Sequence, residues 1–412
     1  MNKTKALLYA LLSVFMCMAA APAYAADAIK IGVILPLTGS QAKEGYFEKS
    51  AIDMAFEEIN AKGGVGGKKL EAVVVDSQSK PYVAKNAANQ LVEKDKVTAL
   101  IGGYASDEAF EIASVSVATK TPYLVHTGSA DKITELASFK GAAAASFPVF
   151  RMNQPASEWN NGLKSFLTEV VKPKTAGIVY DKRLFGANLA EAFEAVCKET
   201  GVSVVFKESF DSKAKSFNPV MFKLKQAKPD VVYMVAYASE APALMKEAIS
   251  LGINPMVFAG AGAGFAGAEF QDKAGADAEG VVSTTLWDEA LGLSGSKEFA
   301  AKFRAKHKKD QKYKYYGKKE MEISYHVVEA YSAPFVLADA LGRAKSTGAE
   351  DVRAALAATD VKTAFGAVKF GAYGSKVNQN KLDTYVVQWH GDSLDLIWPK
   401  EVAKSQFAPR KK

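Results

Sequence analysis

Small hydroxyl residues beside glycine follow two apolar stretches in the first third of the chain. Tyr104, Ala105 and Ser106 come after one stretch, and Thr127 and Ser129 come after the next. Where a buried strand ends, such hydroxyls and nearby backbone N–H groups can bind a carboxylate without the help of a cation. Each charge-assisted hydrogen bond would contribute about 1.5–3 kcal/mol. Turns favour Ser, Thr and Gly for local reasons as well, but two such loops in succession favour a binding site.

A glycine pattern later in the chain matches a nucleotide-binding motif. Gly262, Gly264 and Gly267 fit the spacing GxGxxG after an apolar stretch. A dinucleotide fold uses these glycines to bring backbone N–H groups against pyrophosphate, and it also needs an acid that closes the next strand. The next predicted strand, 281–286, runs through threonines instead. The sequence therefore favours a flexible loop at the rim of a cleft, with an exported NAD-dependent oxidoreductase as the alternative.

Other motifs of catalysis and metal binding are absent from the sequence. It contains no phosphate loop GxxxxGK[ST], no nucleophile elbow GxSxG, no HExxH and no CxxC pair. The histidines, at positions 126, 307, 326 and 390, are too scattered to indicate a metal site. We therefore predict no catalytic residue, no cofactor and no metal, and we interpret the chain as a binding protein and not an enzyme.

The N-terminus is typical of an export signal. Two lysines precede an apolar stretch over 6–21, and alanines at 23 and 25 form the A-x-A pattern of a signal-peptidase site. We predict a signal peptide over 1–25 and a periplasmic location. The large residues before Cys17 argue against lipid attachment, and no later stretch reaches the ~20 apolar residues of a transmembrane helix.

Length, cysteine content and charge indicate the number of domains, the possible disulfides and the class of partner. Removal of the predicted signal from 412 residues leaves a length typical of two domains. Cys197 is the only cysteine of the predicted mature chain, so no intrachain disulfide can form, and its helical spacing predicts a buried apolar position. Nine cations lie between Lys302 and Lys319, interleaved with aromatic residues. A solvated helix end is favoured there over nucleic-acid binding.

Strand-like and helix-like segments alternate along the chain, which predicts α/β layers with largely parallel sheets. The predicted strands are 29–35, 70–75, 97–101, 121–125, 175–180, 202–206, 230–235 and 281–286, and the predicted helices are 50–60, 82–93, 187–200, 220–226 and 240–251. A closing hairpin is predicted over 386–399. These units form two similar doubly wound lobes: 26–147 plus 281–360 in lobe 1, and 148–280 plus 361–412 in lobe 2. Ligands of parallel sheets bind beyond the carboxyl ends of the strands, so a hinged cleft between the lobes is expected.

Several blocks, in order, carry a resemblance to a known family. IKIGVILPLTG, EEINAKGGVGGKKLEAVVVDSQSKP, LIGGYASDEA, IVYDKRLFGANLAEAF and PDVVYMVAYASEAPALMKEAISLG are similar to the periplasmic branched-chain amino acid binding proteins of ABC importers, and the similarity covers essentially the whole mature chain. The resemblance implies a type I periplasmic binding fold with two lobes joined by a three-stranded hinge. It also implies a monomer that binds no nucleic acid and passes a small ligand to a membrane permease.

The resemblance implies particular binding residues. Ser106, preceded by Tyr104 and Ala105, and the turn with Thr127 and Ser129 match the positions that hold the ligand carboxylate. In the second lobe, the aromatic residues of the family match Phe185, before Gly186, and Tyr237. Both would line the pocket.

Two departures from the family bear on the ligand. Amino acid binders of this family place an acid for the ligand ammonium in the loop that is here 259–267, which contains none. An unpaired buried ammonium would be costly, so either another carboxylate serves or the ligand has no ammonium; Glu44 is one candidate, although a solvated helix-start glutamate is the simpler interpretation. Phe185 also lacks the hydroxyl of the usual tyrosine. Branched-chain or other apolar amino acids are the expected ligands, with aromatic or aliphatic acids and small amides as alternatives.

Overall fold

The computed structural model describes residues 28–310 and 322–410. The predicted signal peptide, Cys17 and the second half of the basic segment, 311–319, lie outside these residues. In the described part of the chain, no helix is both long and apolar enough to cross a membrane.

Strands alternate with helices, as the sequence predicts. The strands are β1 (Ile29–Leu35), β2 (Leu70–Asp76), β3 (Ala99–Gly102), β4 (Tyr123–Val125), β5 (Val149–Arg151), β6 (Thr175–Asp181), β7 (Ser203–Phe210), β8 (Val231–Val235), β9 (Val257–Gly260), β10 (Val282–Thr285), β11 (Asp360–Thr363), β12 (Gly366–Lys369), β13 (Gly371–Tyr373), β14 (Lys376–Gln379), β15 (Tyr385–His390) and β16 (Ser393–Trp398). The helices are α1 (Ala42–Ala61), α2 (Pro81–Glu93), α3 (Ser106–Thr119), α4 (Asn161–Phe166), α5 (Leu184–Thr200), α6 (Asn218–Ala227), α7 (Ala241–Ser250), α8 (Ala268–Ala274), α9 (Ser296–His307), α10 (Tyr325–Arg343) and α11 (Ala349–Ala357).

Two sheets of seven strands form two lobes. The strand order is β13-β14-β5-β4-β3-β1-β2 in the first sheet and β16-β15-β10-β9-β8-β6-β7 in the second. Neighbours among β1 to β5, and among β6 to β10, pair in parallel. The closing hairpin is confirmed as the antiparallel pair β15 and β16 at the edge of the second sheet. The predicted α/β fold with two doubly wound lobes is therefore confirmed.

The chain passes between the sheets three times, but sheet membership differs from the predicted lobe boundaries. β5 still belongs to the first sheet, β10 belongs to the second, and β13 with β14 returns to the first. The crossings therefore follow β5, β10 and β14, later than positions 147, 281 and 361. The reason is physical: apolar strands of the two lobes look alike in sequence, and only their pairing partners distinguish them.

Helix α1 begins well before its predicted start at residue 50. Gln41 precedes the helix and Glu44 lies in its first turn. A side chain at Gly45 would collide with the carbonyl group of Pro36, so glycine lets this turn pack closely against the end of β1. The early start places Glu44 and Glu48 on the helix, and Glu48 is completely buried.

Candidate functional site

The cleft lies where loops of the two sheets meet, and it is closed. Tyr104 follows β3 and Tyr237 follows β8, and their ring centroids are 6.0 Å apart. These side chains are only 3% and 4% exposed. An ion pair also joins the lobes, with 3.3 Å between Lys43 Nζ and Glu269 Oε2. The geometry matches the expected crevice beyond the carboxyl ends of parallel strands.

The two predicted hydroxyl loops lie side by side. Ser106 is the first residue of α3, and its Oγ accepts hydrogen bonds from the backbone N–H groups of Ser129 (3.2 Å) and Ala130 (3.1 Å). The preceding residue, Ala105, provides no side-chain cap for the helix. The first N–H groups of a helix have no partner inside it, and they carry the positive end of its dipole. This corner of the cleft is therefore suited to an anion.

The hydroxyl group of Thr127 is engaged inside the first lobe. It donates to Glu48 Oε1 at 3.0 Å and lies 2.7 Å from His126 Nδ1. Glu48 and His126 are both completely buried. The Thr127 carbonyl oxygen accepts a hydrogen bond from Asn153 Nδ2. Thr127 therefore offers a ligand its backbone N–H, while its side chain fixes the turn to the interior of the lobe.

Four ionisable side chains form a buried polar cluster beneath this turn: Glu48, His126, His326 and Glu329. Glu48 Oε1 lies 3.4 Å from His326 Nδ1 and 3.9 Å from His126 Nδ1. Burial raises the pKa of Glu48 to about 7 and that of Glu329 well above its usual range. Burial also lowers the pKa of His126, and it lowers that of His326 to about 4. Near neutral pH both histidines and Glu329 are therefore uncharged, and Glu48 is the member of the cluster that titrates there.

The sequence signal for this cluster is weak. Glu48 shares a face of α1 with apolar residues, but the predicted helix began two residues after it. His126 is far in sequence from His326 and Glu329, which lie on α10. These two residues reach Glu48 because α10 packs on α1. Among the described residues, no group of three or more His, Cys, Asp or Glu side chains is arranged to hold a metal ion.

The second lobe contributes an aromatic wall. The rings of Phe185 and Tyr237 have centroids 5.0 Å apart. The Arg183 guanidinium lies 4.6 Å from the centre of the Tyr237 ring, and its Nη2 binds Glu240 Oε1 at 2.9 Å and also binds Asp181. The tilted ring of Phe185 and this anchored cation both contact Tyr237 and restrain its orientation.

Close packing accounts for two of the glycines in the GxGxxG pattern. A Cβ at Gly262, where φ is +45°, would lie 3.3 Å from Tyr325 Oη and 3.4 Å from Trp159 Cη2. A Cβ at Gly264 would collide with the carbonyl group of Ala236. The helix that follows, α8, has only seven residues. This loop packs tightly against aromatic rings at the cleft, so its glycines have a structural reason that involves no nucleotide.

Arg151 was missed by the sequence analysis. Its side chain is completely buried and donates to Gln379 Oε1 and the Ala130 carbonyl oxygen, each at 2.6 Å, and to Thr134 Oγ1 at 3.0 Å. Burial lowers its pKa to about 10. This residue clamps the segment after the hydroxyl turn to β14. Its partner lies 228 residues further along the chain, so no local pattern signals the contact.

Comparisons with known proteins agree on one family. The family model described as "Periplasmic binding protein" matches residues 28–393. The Leu/Ile/Val-binding protein homolog 7 of Brucella melitensis is 28% identical, with 96% of this chain and 97% of that protein covered. The leucine-, isoleucine-, valine-, threonine-, and alanine-binding protein of Pseudomonas aeruginosa is 27% identical, with 90% and 92% covered.

Solved structures share the fold. A leucine binding protein from Thermotoga maritima has a TM-score of 0.78 at 23% identity, with 90% of this chain and 97% of that chain covered. An ABC transporter solute binding protein from R. palustris, in complex with benzoate, has a TM-score of 0.74 at 18% identity, with 90% and 95% covered. These relatives and neighbours are solute-binding proteins, not enzymes.

Proposed function

Because the chain belongs to the periplasmic binding protein family, we propose that it is the solute-binding component of an ABC importer. It is exported through the segment 1–25, captures a small carboxylate in the cleft between its lobes and passes it to a membrane permease. The observation that carries the proposal is the uncapped N-terminus of α3, which opens with Ser106 beside a closed cleft.

The carboxylate binds at the start of α3. The first-turn N–H groups and the Ser106 hydroxyl donate to it, and the turn with Thr127 and Ser129 closes the other side. An anion at a helix N-terminus is stabilised by the free N–H groups and by the helix dipole together. Such a site needs no lysine or arginine. The glycines and hydroxyl residues that follow β3 and β4 bind the carboxylate in place of a cation.

The body of the ligand packs against the aromatic wall. Tyr104, Phe185 and Tyr237 offer ring faces to an apolar group. A branched-chain or other apolar amino acid is the first candidate, in line with the names of the relatives in Brucella and Pseudomonas. An aromatic carboxylic acid is the second, favoured by the same ring faces and by the missing acid in the loop 259–267.

Calorimetric titration tests the proposal. Purified protein is titrated with leucine, benzoate and butyramide, and we expect binding heat from a carboxylate but none from the amide. Ser106→Ala should weaken carboxylate binding by about 10-fold or more, because it removes a charge-assisted bond and leaves two N–H groups unpaired. Ser116→Ala is the matched control, since that hydroxyl on α3 binds the Thr121 carbonyl oxygen, away from the cleft. No heat from either carboxylate, or equal affinity in Ser106→Ala, would refute the assignment.

A further inference from the structure

An ion pair joins the first turns of two helices that belong to different lobes. Lys43 lies at the start of α1, which follows β1 of the first sheet. Glu269 lies at the start of α8, which follows β9 of the second sheet. Lys43 Nζ is 3.3 Å from Glu269 Oε2. Because opening of the cleft separates the two lobes, this contact exists only while the cleft is closed.

The position of Lys43 on its own helix is an unfavourable one for a cation. The N-terminal end of a helix carries a partial positive charge, so the dipole of α1, a helix of 20 residues, repels a cation in its first turn. The carboxylate of Glu269 offsets this repulsion when the lobes meet. The charge of Lys43 therefore stabilises the closed protein more than it stabilises the first lobe alone.

Glu269 also has a cationic partner within its own lobe. Lys273, four residues later on α8, binds the same carboxyl group. Residues at this spacing lie on one face of a helix, so this second contact needs no closure of the cleft. When the lobes separate, Glu269 keeps Lys273 and loses Lys43. The two lysines thus form a natural comparison between a contact across the cleft and a contact within one lobe.

The interlobe pair is more shielded from water than the pair within α8. The side chain of Lys43 is 25% exposed and that of Glu269 is 14% exposed, whereas the side chain of Lys273 is 56% exposed. Attraction between two charges grows as the dielectric constant around them falls, and pairs between exposed side chains add little. The contact between Lys43 and Glu269 is therefore the stronger of the two.

Two hydrogen bonds that also cross between the lobes differ from this pair in kind. The Leu184 N–H donates to Asp107 Oδ1 at 3.4 Å, and the Asp131 N–H donates to Asn188 Oδ1 at 3.2 Å. Each of them involves a neutral backbone group, so dissolved salt weakens them less than it weakens a contact between two charges. The dependence of closure on salt therefore reports on the ion pair.

We propose that the pair of Lys43 and Glu269 holds the cleft closed over its ligand and sets the ligand affinity through the rate of opening. A contact made only in the closed state shifts the equilibrium towards that state by its own free energy. The ligand leaves when the lobes separate, so loss of the pair speeds release and changes association little. The inference goes beyond the proposed function, because it concerns the opening of the cleft and not the chemistry of the ligand.

Stopped-flow kinetics and calorimetry with leucine and with benzoate test the inference. Lys43→Gln should raise the dissociation rate constant about 3- to 10-fold and weaken the affinity by the same factor, while the association rate constant stays within about 2-fold. Lys273→Gln is the matched control, because it removes a cation from the same carboxylate within one lobe. Its rate constants should stay within about 2-fold of the wild-type values.

Two further measurements separate the ion pair from a general effect of the substitution. In the double variant of Lys43→Gln and Glu269→Gln, release should be no faster than in Lys43→Gln alone, because the partners of one contact are not additive. An increase from about 0.05 M to about 0.5 M NaCl should speed release from the wild type more than release from Lys43→Gln, since only the wild type has the pair to screen.

Cross-linking gives a readout that needs no ligand. A carbodiimide condenses an amine and a carboxyl group in contact into an amide with loss of water. Peptide mass spectrometry of the single-chain product should find Lys43 joined to Glu269, beside the product of Lys273 and Glu269. Equal rates of release from Lys43→Gln and Lys273→Gln, additive losses in the double variant, or absence of the interlobe product would overturn the inference and leave carboxylate capture standing. If neither leucine nor benzoate binds, the proposed function fails, and the interlobe product alone decides the inference.

Discussion

Replacement of Glu48 by Gln tests whether ionisation of Glu48 makes the stability of the protein depend on pH, because glutamine has nearly the same shape but cannot ionise. The folded protein raises the pKa of Glu48 from 4.5 to about 7, mainly by burial. Between these values the folded state holds a proton that the unfolded state has released, so stability falls as the pH rises through this window. A shift of this size corresponds to about 3 kcal/mol. Glutamine cannot ionise, and its amide oxygen can still accept from the Thr127 hydroxyl.

Urea unfolding at pH 5 and pH 8 measures the effect. The buried indole rings of Trp159 and Trp389 provide a fluorescence signal, and the free energies of unfolding of the wild type, Glu48→Gln and the exposed control Glu57→Gln are compared. We expect the wild type and the control to lose about 2–3 kcal/mol more than Glu48→Gln between the two pH values. Carboxyl groups whose pKa is raised without any contribution from Glu48, among them Glu322, contribute equally to all three proteins.

The prediction concerns the change in the free energy of unfolding between pH 5 and pH 8, and not the absolute stability of Glu48→Gln. Glu48 Oε2 has no hydrogen-bond partner among the described residues, so an amide NH₂ placed there would be unsatisfied. That penalty, about 1–3 kcal/mol, acts at both pH values and cancels in the difference. Parallel pH dependences in the wild type and in Glu48→Gln would refute the reasoning, because they would mean that Glu48 is already ionised in the folded protein at pH 5.

Two further predictions concern residues away from the ligand. Cys197 is 1% exposed and burial raises the pKa of its thiol to about 12, so Ellman's reagent should modify it only after unfolding in guanidinium; rapid reaction of the native protein would contradict this. Arg151→Lys keeps the charge but cannot reproduce the bonds to Gln379, Ala130 and Thr134. It should lower the free energy of unfolding by about 3 kcal/mol or more, measured beside the exposed control Arg343→Lys, and an effect no larger than that of the control would show that the clamp adds no stability.

Local patterns predicted most of the elements. The strand Ile29–Leu35 is confirmed at both ends, because its isoleucine and valine residues favour extended backbone and Pro36 has no N–H to continue the hydrogen bonding of the sheet. The predicted loops after β3 and β4 are adjacent in the structure, since neighbouring parallel strands end at the same edge of a sheet. The predicted start of α1 at residue 50 is eight residues late, because the helix begins at Ala42, where Gly45 allows close contact with Pro36.

The sequence by itself determined the two-lobe α/β fold, the family and the hydroxyl loops of the cleft, because each of these depends on periodicity or on residues close together in the chain. Only the tertiary structure decided that the Thr127 hydroxyl turns inward to Glu48, that the buried polar cluster exists and that Lys43 pairs with Glu269 across the cleft. These contacts join residues tens to hundreds of positions apart. They follow from the order of strands in each sheet, from the packing of α10 on α1 and from the closure of one lobe on the other, none of which is written in local spacing.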